Sequence, residues 1–139
     1  HPDVRAVISV NKCMVTQASA AIPVVPLYFA ILYKVMKRAG NHENCIQQIA
    51  RLFTQKLYTP EGFRTDENGF IRMDDYELLP EIQEEVKKCW KAVTTDTVNQ
   101  YCDIDGYWED FYHMFGFHYS DIDYTQDVDA NVEINGIVM

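Results

Sequence analysis

The stretch VRAVISV at residues 4–10, followed by NKCMVTQASAAIPVVPLYFAILYKVMKRAG at residues 11–40, decides how the rest of the chain is read. The first segment is short, β-branched and almost continuously apolar, the pattern of a strand covered on both faces. Residues 11–16 form a connection. A long apolar helix then runs to about Arg38, with Lys37 and Arg38 in its last turn and Gly40 as its stop. Its sides are apolar nearly all round, so other elements should enclose it. Strand, loop and helix open an α/β unit, yet a lone buried strand leaves its backbone N–H and C=O groups unpaired. Its sheet partners are expected upstream, outside this chain, which makes the chain a fragment; the missing initiator Met points the same way.

Working outward, residues 43–57 predict a second helix, with Ile46, Ile49, Leu52, Phe53 and Leu57 as one apolar stripe and Asn41 or Asn44 as its cap. Asn68-Gly69, between residues 63–67 and 70–73, signals a small hairpin. Leu79-Pro80-Glu81 opens a third helix with Ile82, Val86, Cys89, Trp90 and Val93 on one face. Shorter helical pieces cover residues 97–102 and 107–115, and an acidic, solvated tail follows Asp121. The chain is thus mostly α, with one amino-terminal strand and a small hairpin.

Composition narrows the function classes. In 139 residues, 47% are hydrophobic and 13% aromatic, enough for a real core. The net charge of -9 argues against a nucleic-acid surface or an anionic membrane. The apolar run at residues 22–36 is interrupted by Pro23, Pro26 and Lys34, and is shorter than a spanning helix requires. Four widely spaced cysteines, Cys13, Cys45, Cys89 and Cys102, read as reduced, buried thiols of a cytoplasmic protein. No signal peptide opens the chain.

Several residues are candidates for chemistry. In open α/β sheets, ligands bind beyond the carboxyl ends of strands, and Met14-Val15-Thr16-Gln17 occupies that place. Thr16 and the neighbouring backbone amides suit a carboxamide; an ordinary loop in which a hydroxyl caps the helix explains the same residues. Tyr33 and Lys37 have the Tyr-x3-Lys spacing of short-chain dehydrogenases, with Ser19 upstream. A core tyrosine beside a surface lysine explains that pair as well, and an amphipathic helix follows where that fold needs a parallel strand. Metal is not supported: His42-x2-Cys45 and His113-x4-His118 are the only clusters, without CxxC or HExxH. Asp103-Ile104-Asp105-Gly106 fails as a calcium loop, because Tyr101 and Tyr112 would fall on its first and last ligand positions. With no GxGxxG, the chain lacks the usual device for a dinucleotide pyrophosphate.

ISVNKCMVTQASAAIPVVPLYFAILYKVMK, GNHENCIQQIARLF, IRMDDYEL and GYWEDFYHMFGF, in this order, closely resemble the trans-2-enoyl-CoA reductase family, the bacterial NADH-dependent enoyl-CoA and enoyl-ACP reductases, over almost the whole chain to about Val128. Members are roughly three times this length, and the chain resembles their carboxy-terminal third. The resemblance implies a monomeric α/β enzyme with a Rossmann-like core and a helical substrate lid. In it, hydride from NADH reduces the C2–C3 double bond of enoyl thioesters in fatty acid synthesis. Residues 1–58 would then be the last part of the core with a lid helix, and residues 59–139 a helical region with hairpin and acidic tail. The family's catalytic Tyr-x8-Lys pair and glycine-rich loop are expected upstream, so no catalytic residue lies here and the isolated chain should be inactive.

By the same resemblance, Met14, Val15 and Thr16 match a nicotinamide-contacting loop. Val25, Phe29 and Tyr33, at i, i+4 and i+8 on one helix face, match an acyl pocket, and Tyr107 matches a lid aromatic near it. Core packing explains these four equally. Tyr33 stands where the family is expected to carry Phe, and NVEINGIVM runs past the family's ending. Flavin, sometimes ascribed to this segment, is not supported, since hydride passes directly from NADH. The alternatives are a stand-alone helical module that binds acyl groups or a protein without catalysis, and a minimal dehydrogenase using Tyr33 and Lys37.

Overall fold

Why the first strand is short follows from what pairs with it. The computed structural model describes residues 6–127, so part of the expected strand and the tail beyond 127 lie outside the described residues. β1 is Ile8–Val10 and runs parallel to β2, Phe70–Arg72, with Ile8 opposite Phe70, Ser9 opposite Ile71 and Val10 opposite Arg72. Met73 extends the ladder by donating its N–H to the Val10 carbonyl at 2.8 Å.

Two expectations are corrected by this pairing. Among the described residues the strand has one partner, β2, and Ile8 is 59% exposed rather than covered on both faces. The Asn68-Gly69 turn forms without becoming a hairpin. Gly69 donates to Asp66 O, Asp66 donates to Phe70 O, and Asp66 Oδ1 accepts from the N–H groups of Asn68 and Phe70. Gly69 takes φ +82°, which the turn requires. The ladder stops there because residues 64 and 65 are exposed and offer nothing to bury, whereas pairing with β1 carries Ile71 and Met73 to 1% and 0% exposure.

The long helix is interrupted. α1 is Gln17–Ala20 and α2 is Val25–Ala39. Pro23 and Pro26 carry no N–H to donate, and each disfavours helical backbone in the residue before it. The chain turns at Val24, whose φ of +74° is unusual for a β-branched residue. Beyond the break, α2 is enclosed as its composition demands: Ile31, Leu32, Tyr33 and Met36 are at most 1% exposed. It ends at Gly40, where Asn41 N–H reaches Met36 O at 3.1 Å.

α4, Pro80–Ala92, starts on its proline and inserts Ile82, Val86 and Cys89 against α2. α5, Val98–Tyr101, precedes α6, Ile104–Met114, whose first turn Asp103 caps by accepting from Gly106 N–H at 3.0 Å. Lys37 of α2 pairs with the same carboxylate at 2.6 Å. A Cβ on Gly106 would collide with both partners of that pair.

α3, Cys45–Arg51, continues into a π-helical segment, Leu52–Leu57. Asn44 and Gln47 form a capping box at its start. The expected apolar stripe exists but faces away from the core: Ile46, Ile49 and Phe53 are 53%, 47% and 45% exposed, while Gln48 and Arg51 are buried. Arg51 donates to Met73 O and binds Glu43 and Asp75 at 2.7 and 2.9 Å, its guanidinium lying over the Tyr76 ring. This side of the helix is committed to polar anchors on β2 and the segment after it, which leaves the apolar side outward.

Candidate functional site

The connection leaving β1 is held at Cys13, Val15 and Thr16. Cys13 N–H donates to the Glu77 carboxylate at 2.7 Å. Val15 N–H donates to the Tyr33 hydroxyl at 2.9 Å, with Val15 only 3% exposed. Thr16 N–H donates to Ser19 Oγ at 2.7 Å, and Thr16 Oγ1 accepts from Ser19 N–H at 3.1 Å, so the Thr16 hydroxyl serves as the cap of α1. Thr16 is exposed and Met14 half-buried. Among the described residues, the Met14 N–H and the Met14 and Val15 carbonyls have no hydrogen-bond partner.

Tyr33 stands at the middle of a buried polar cluster. Its ring is stacked on Phe29 at 6.3 Å and meets the His42 ring edge-on at 4.5 Å. The Lys12 ammonium lies over its face, 4.8 Å from the centroid. His42 Nε2 lies 3.2 Å from Asp110 Oδ2 on α6. Burial, then the negative charge of Asp110, push the Tyr33 hydroxyl far above its ordinary pKa, so it stays protonated and neutral. Lys12 is 2% exposed, and burial lowers its pKa against the opposing pull of Asp110 and Glu77. Burial and then Glu77 raise the Cys13 thiol to about 12.

The other expected residues fall around this cluster. Phe29 and Tyr107 are core residues, and Val25 packs partly buried against the same core. Tyr107 Oη and His42 Nδ1 are buried without a partner among the described residues. Lys12, Glu77 and Asp110 did not stand out in the sequence: Lys12 follows Asn11, Glu77 ends the run Asp74-Asp75-Tyr76-Glu77 and Asp110 follows Glu109, so nothing local separates these buried charges from exposed ones.

The structure separates the remaining pairs. Lys37 is taken by Asp103 and Tyr33 by Val15, so they do not form a dehydrogenase dyad. Tyr28 donates to Glu77. His42 turns to Asp110 rather than to Cys45, and His113 and His118 both approach Glu109 at 3.2 Å. Two clefts of about 490 Å³ lie elsewhere, one between Lys56, Arg64 and Arg72, the other beside Tyr28 and Trp90. Neither is lined by Met14, Val15, Thr16, Val25, Phe29, Tyr33 or Tyr107.

Two family descriptions match the chain: "Trans-2-enoyl-CoA reductase catalytic region" over residues 1–58 and "Enoyl reductase FAD binding domain" over residues 65–128. An enoyl-[acyl-carrier-protein] reductase [NADH] of Cytophaga hutchinsonii is 50% identical over 96% of this chain and 34% of its own length. A trans-2-enoyl-CoA reductase [NADH] of Ruminiclostridium cellulolyticum is 47% identical over 96% of this chain and 33% of its own length. The crystal structure of Clostridium acetobutulicum trans-2-enoyl-CoA reductase in complex with NAD superposes with a TM-score of 0.79 at 47% identity, covering 90% of this chain and 32% of that one. The Treponema denticola enzyme in complex with NAD gives 0.80 at 46% identity, covering 91% and 32%. The chain therefore spans about a third of the length of the relatives it matches.

Proposed function

From the premise that this chain belongs to the trans-2-enoyl-CoA reductase family, we propose that it is the carboxy-terminal third of an NADH-dependent enoyl-thioester reductase. The observation that carries this reading is identity near 50% across 96% of the chain, with a backbone similar to that of an enzyme solved with NAD. The substrate is an enoyl-CoA or enoyl-ACP, reduced at C2–C3, in fatty acid synthesis. The enzyme is a cytoplasmic monomer, and the four free thiols suit that compartment. No described helix is long and apolar enough to cross a membrane.

The donor set fits a nicotinamide carboxamide. Its amide needs acceptors and its carbonyl a donor, and the loop offers the Met14 and Val15 carbonyls and the Met14 N–H, all uncommitted among the described residues. Thr16 takes part by fixing the loop rather than by bonding the ligand, because α1 and its cap consume the hydroxyl, the N–H and the carbonyl alike. When bound, NADH supplies the hydride. The residues of this chain orient the ring and shut water out: Val15 closes the inner side, and Val25, Phe29, Tyr33 and Tyr107 form an apolar wall for the acyl chain. The residues that move protons lie in the rest of the polypeptide. Flavin does not fit: residues 65–128 contain no glycine-rich dinucleotide loop, and direct hydride transfer does not require it. The division at residue 58 marks, on this reading, the passage from core and lid helix to a helical carboxy-terminal region.

NADH oxidation with crotonyl-CoA and with an enoyl-ACP tests the reading. The whole polypeptide should turn over at least one of them, and the 139-residue chain alone neither. Turnover by the isolated chain would remove the fragment reading; silence of the whole polypeptide with both would remove the function.

A further inference from the structure

Resting on the reductase reading above, we propose that Tyr33 is a positioning residue for cofactor binding: its hydroxyl fixes the Met14–Val15 peptide, and so couples the acyl-facing side of α2 to the nicotinamide loop. The contact joins positions 18 apart, between two groups that are 3% and 1% exposed, so no solvent substitutes for it. The tyrosine has little freedom of its own. Phe29 stacks on it, Lys12 covers its face, and His42, held by Asp110, blocks its edge.

Peptide geometry carries the effect outward. A trans peptide is planar, and its N–H and C=O point in opposite directions. No described peptide bond is cis. The Val15 N–H and the Met14 C=O belong to one such plane. Drawing the N–H inward onto Tyr33 therefore aims the Met14 carbonyl away from the core, as an acceptor for a ligand amide. Thr16, pinned through Ser19, fixes the plane's other flank. A wall residue alone needs only the ring; this role needs the hydroxyl.

Tyr33→Phe in the whole polypeptide separates the two roles. Loss of one hydrogen bond to a buried amide predicts a rise of about ten-fold in the directly titrated NADH Kd and in the NADH KM, with the enoyl-thioester KM within about two-fold. Thermal melting checks that the variant is folded. An NADH Kd within about two-fold of the unsubstituted protein, or an equal rise in both KM values, overturns the proposal. Should Tyr33→Phe not fold, hydrogen exchange on the unsubstituted protein decides. The Val15 amide should be among the slowest in the loop and slow about ten-fold further with NADH bound; rapid or unresponsive exchange overturns it. An unsubstituted polypeptide that binds no NADH sinks the reductase reading itself, a result recorded before any substitution is made.

Discussion

α4 and α3 carry apolar stripes of the same helical spacing and face them in opposite directions. In α4, Ile82, Val86 and Cys89 enter the core, each at most 5% exposed. In α3 and its π-helical continuation, Ile46, Ile49 and Phe53 face out, and Gln48 and Arg51 face in. The difference lies in what each inner surface meets. α4 lies against the apolar flank of α2, so hydrophobic burial decides its rotation. α3 lies against backbone and carboxylates: Gln48 Oε1 accepts from Lys12 N–H, and Arg51 is held by Glu43, Asp75 and Met73 O. An amphipathic period defines two sides without naming which is the interior.

The contrast can be broken most sharply in the core. Leu32→Ala on α2, at 0% exposure, should cost about 3 kcal/mol in urea unfolding, whereas Ile49→Ala should cost under about 0.5 kcal/mol. Equal losses would mean that the outward stripe is covered after all. Next in size is Arg51→Met, expected to cost about 2 kcal/mol by stranding Glu43 and the Met73 carbonyl, while Asp75, a third exposed, keeps Lys56. A neutral result would show that the polar face does not set the rotation of α3.

The same network predicts an acid response. Burial raises the Asp75 carboxyl, but hydrogen bonds from Arg51 and Lys56 outweigh it and hold the pKa below the usual range. A pKa depressed in the folded state gives stability that is present above the unfolded value near 4 and lost as pH falls through the folded one. Melting temperature should drop on acidification, and Asp75→Asn should flatten that limb. Asn44→Ala, removing half of the capping box, should cost about 1 kcal/mol. The smallest effect on stability is expected from Phe53→Glu, with melting nearly unchanged. Sedimentation should nonetheless show less self-association of the isolated chain, because an exposed apolar stripe is sticky.

Much of the architecture was legible where a residue type has one dominant physical use. Pro80 opening α4 and Gly40 closing α2 are local rules that appear as read, and of the two expected caps of α3 it is Asn44 that serves. The failures arise where local signals compete with distant partners. Asn68-Gly69 makes its turn, but β1, sixty residues away, takes the arm that follows. Residues 17–39 are apolar enough for one helix, and two missing proline N–H groups divide them. At the candidate site, position alone singled out the loop after β1, and Val25, Phe29 and Tyr33 of α2 came from the family resemblance rather than from period. The Val15–Tyr33 bond and the Lys12, His42 and Asp110 surroundings were not legible, because they join three segments that are brought together only by folding.

Gly106 has a consequence of another kind. The space that a methyl group would need there is filled by the ammonium of Lys37 and the carboxylate of Asp103. In a saturation library scored for survival, position 106 should keep alanine, because the exposed Lys37 ammonium can swing aside, and lose larger residues, which also press on the Asp103 carboxylate that caps α6. Gly106→Ala combined with Lys37→Ala should be no less stable than Gly106→Ala in the protein that keeps Lys37, because the ammonium that alanine displaces is already gone and only the Asp103 carboxylate has to adjust.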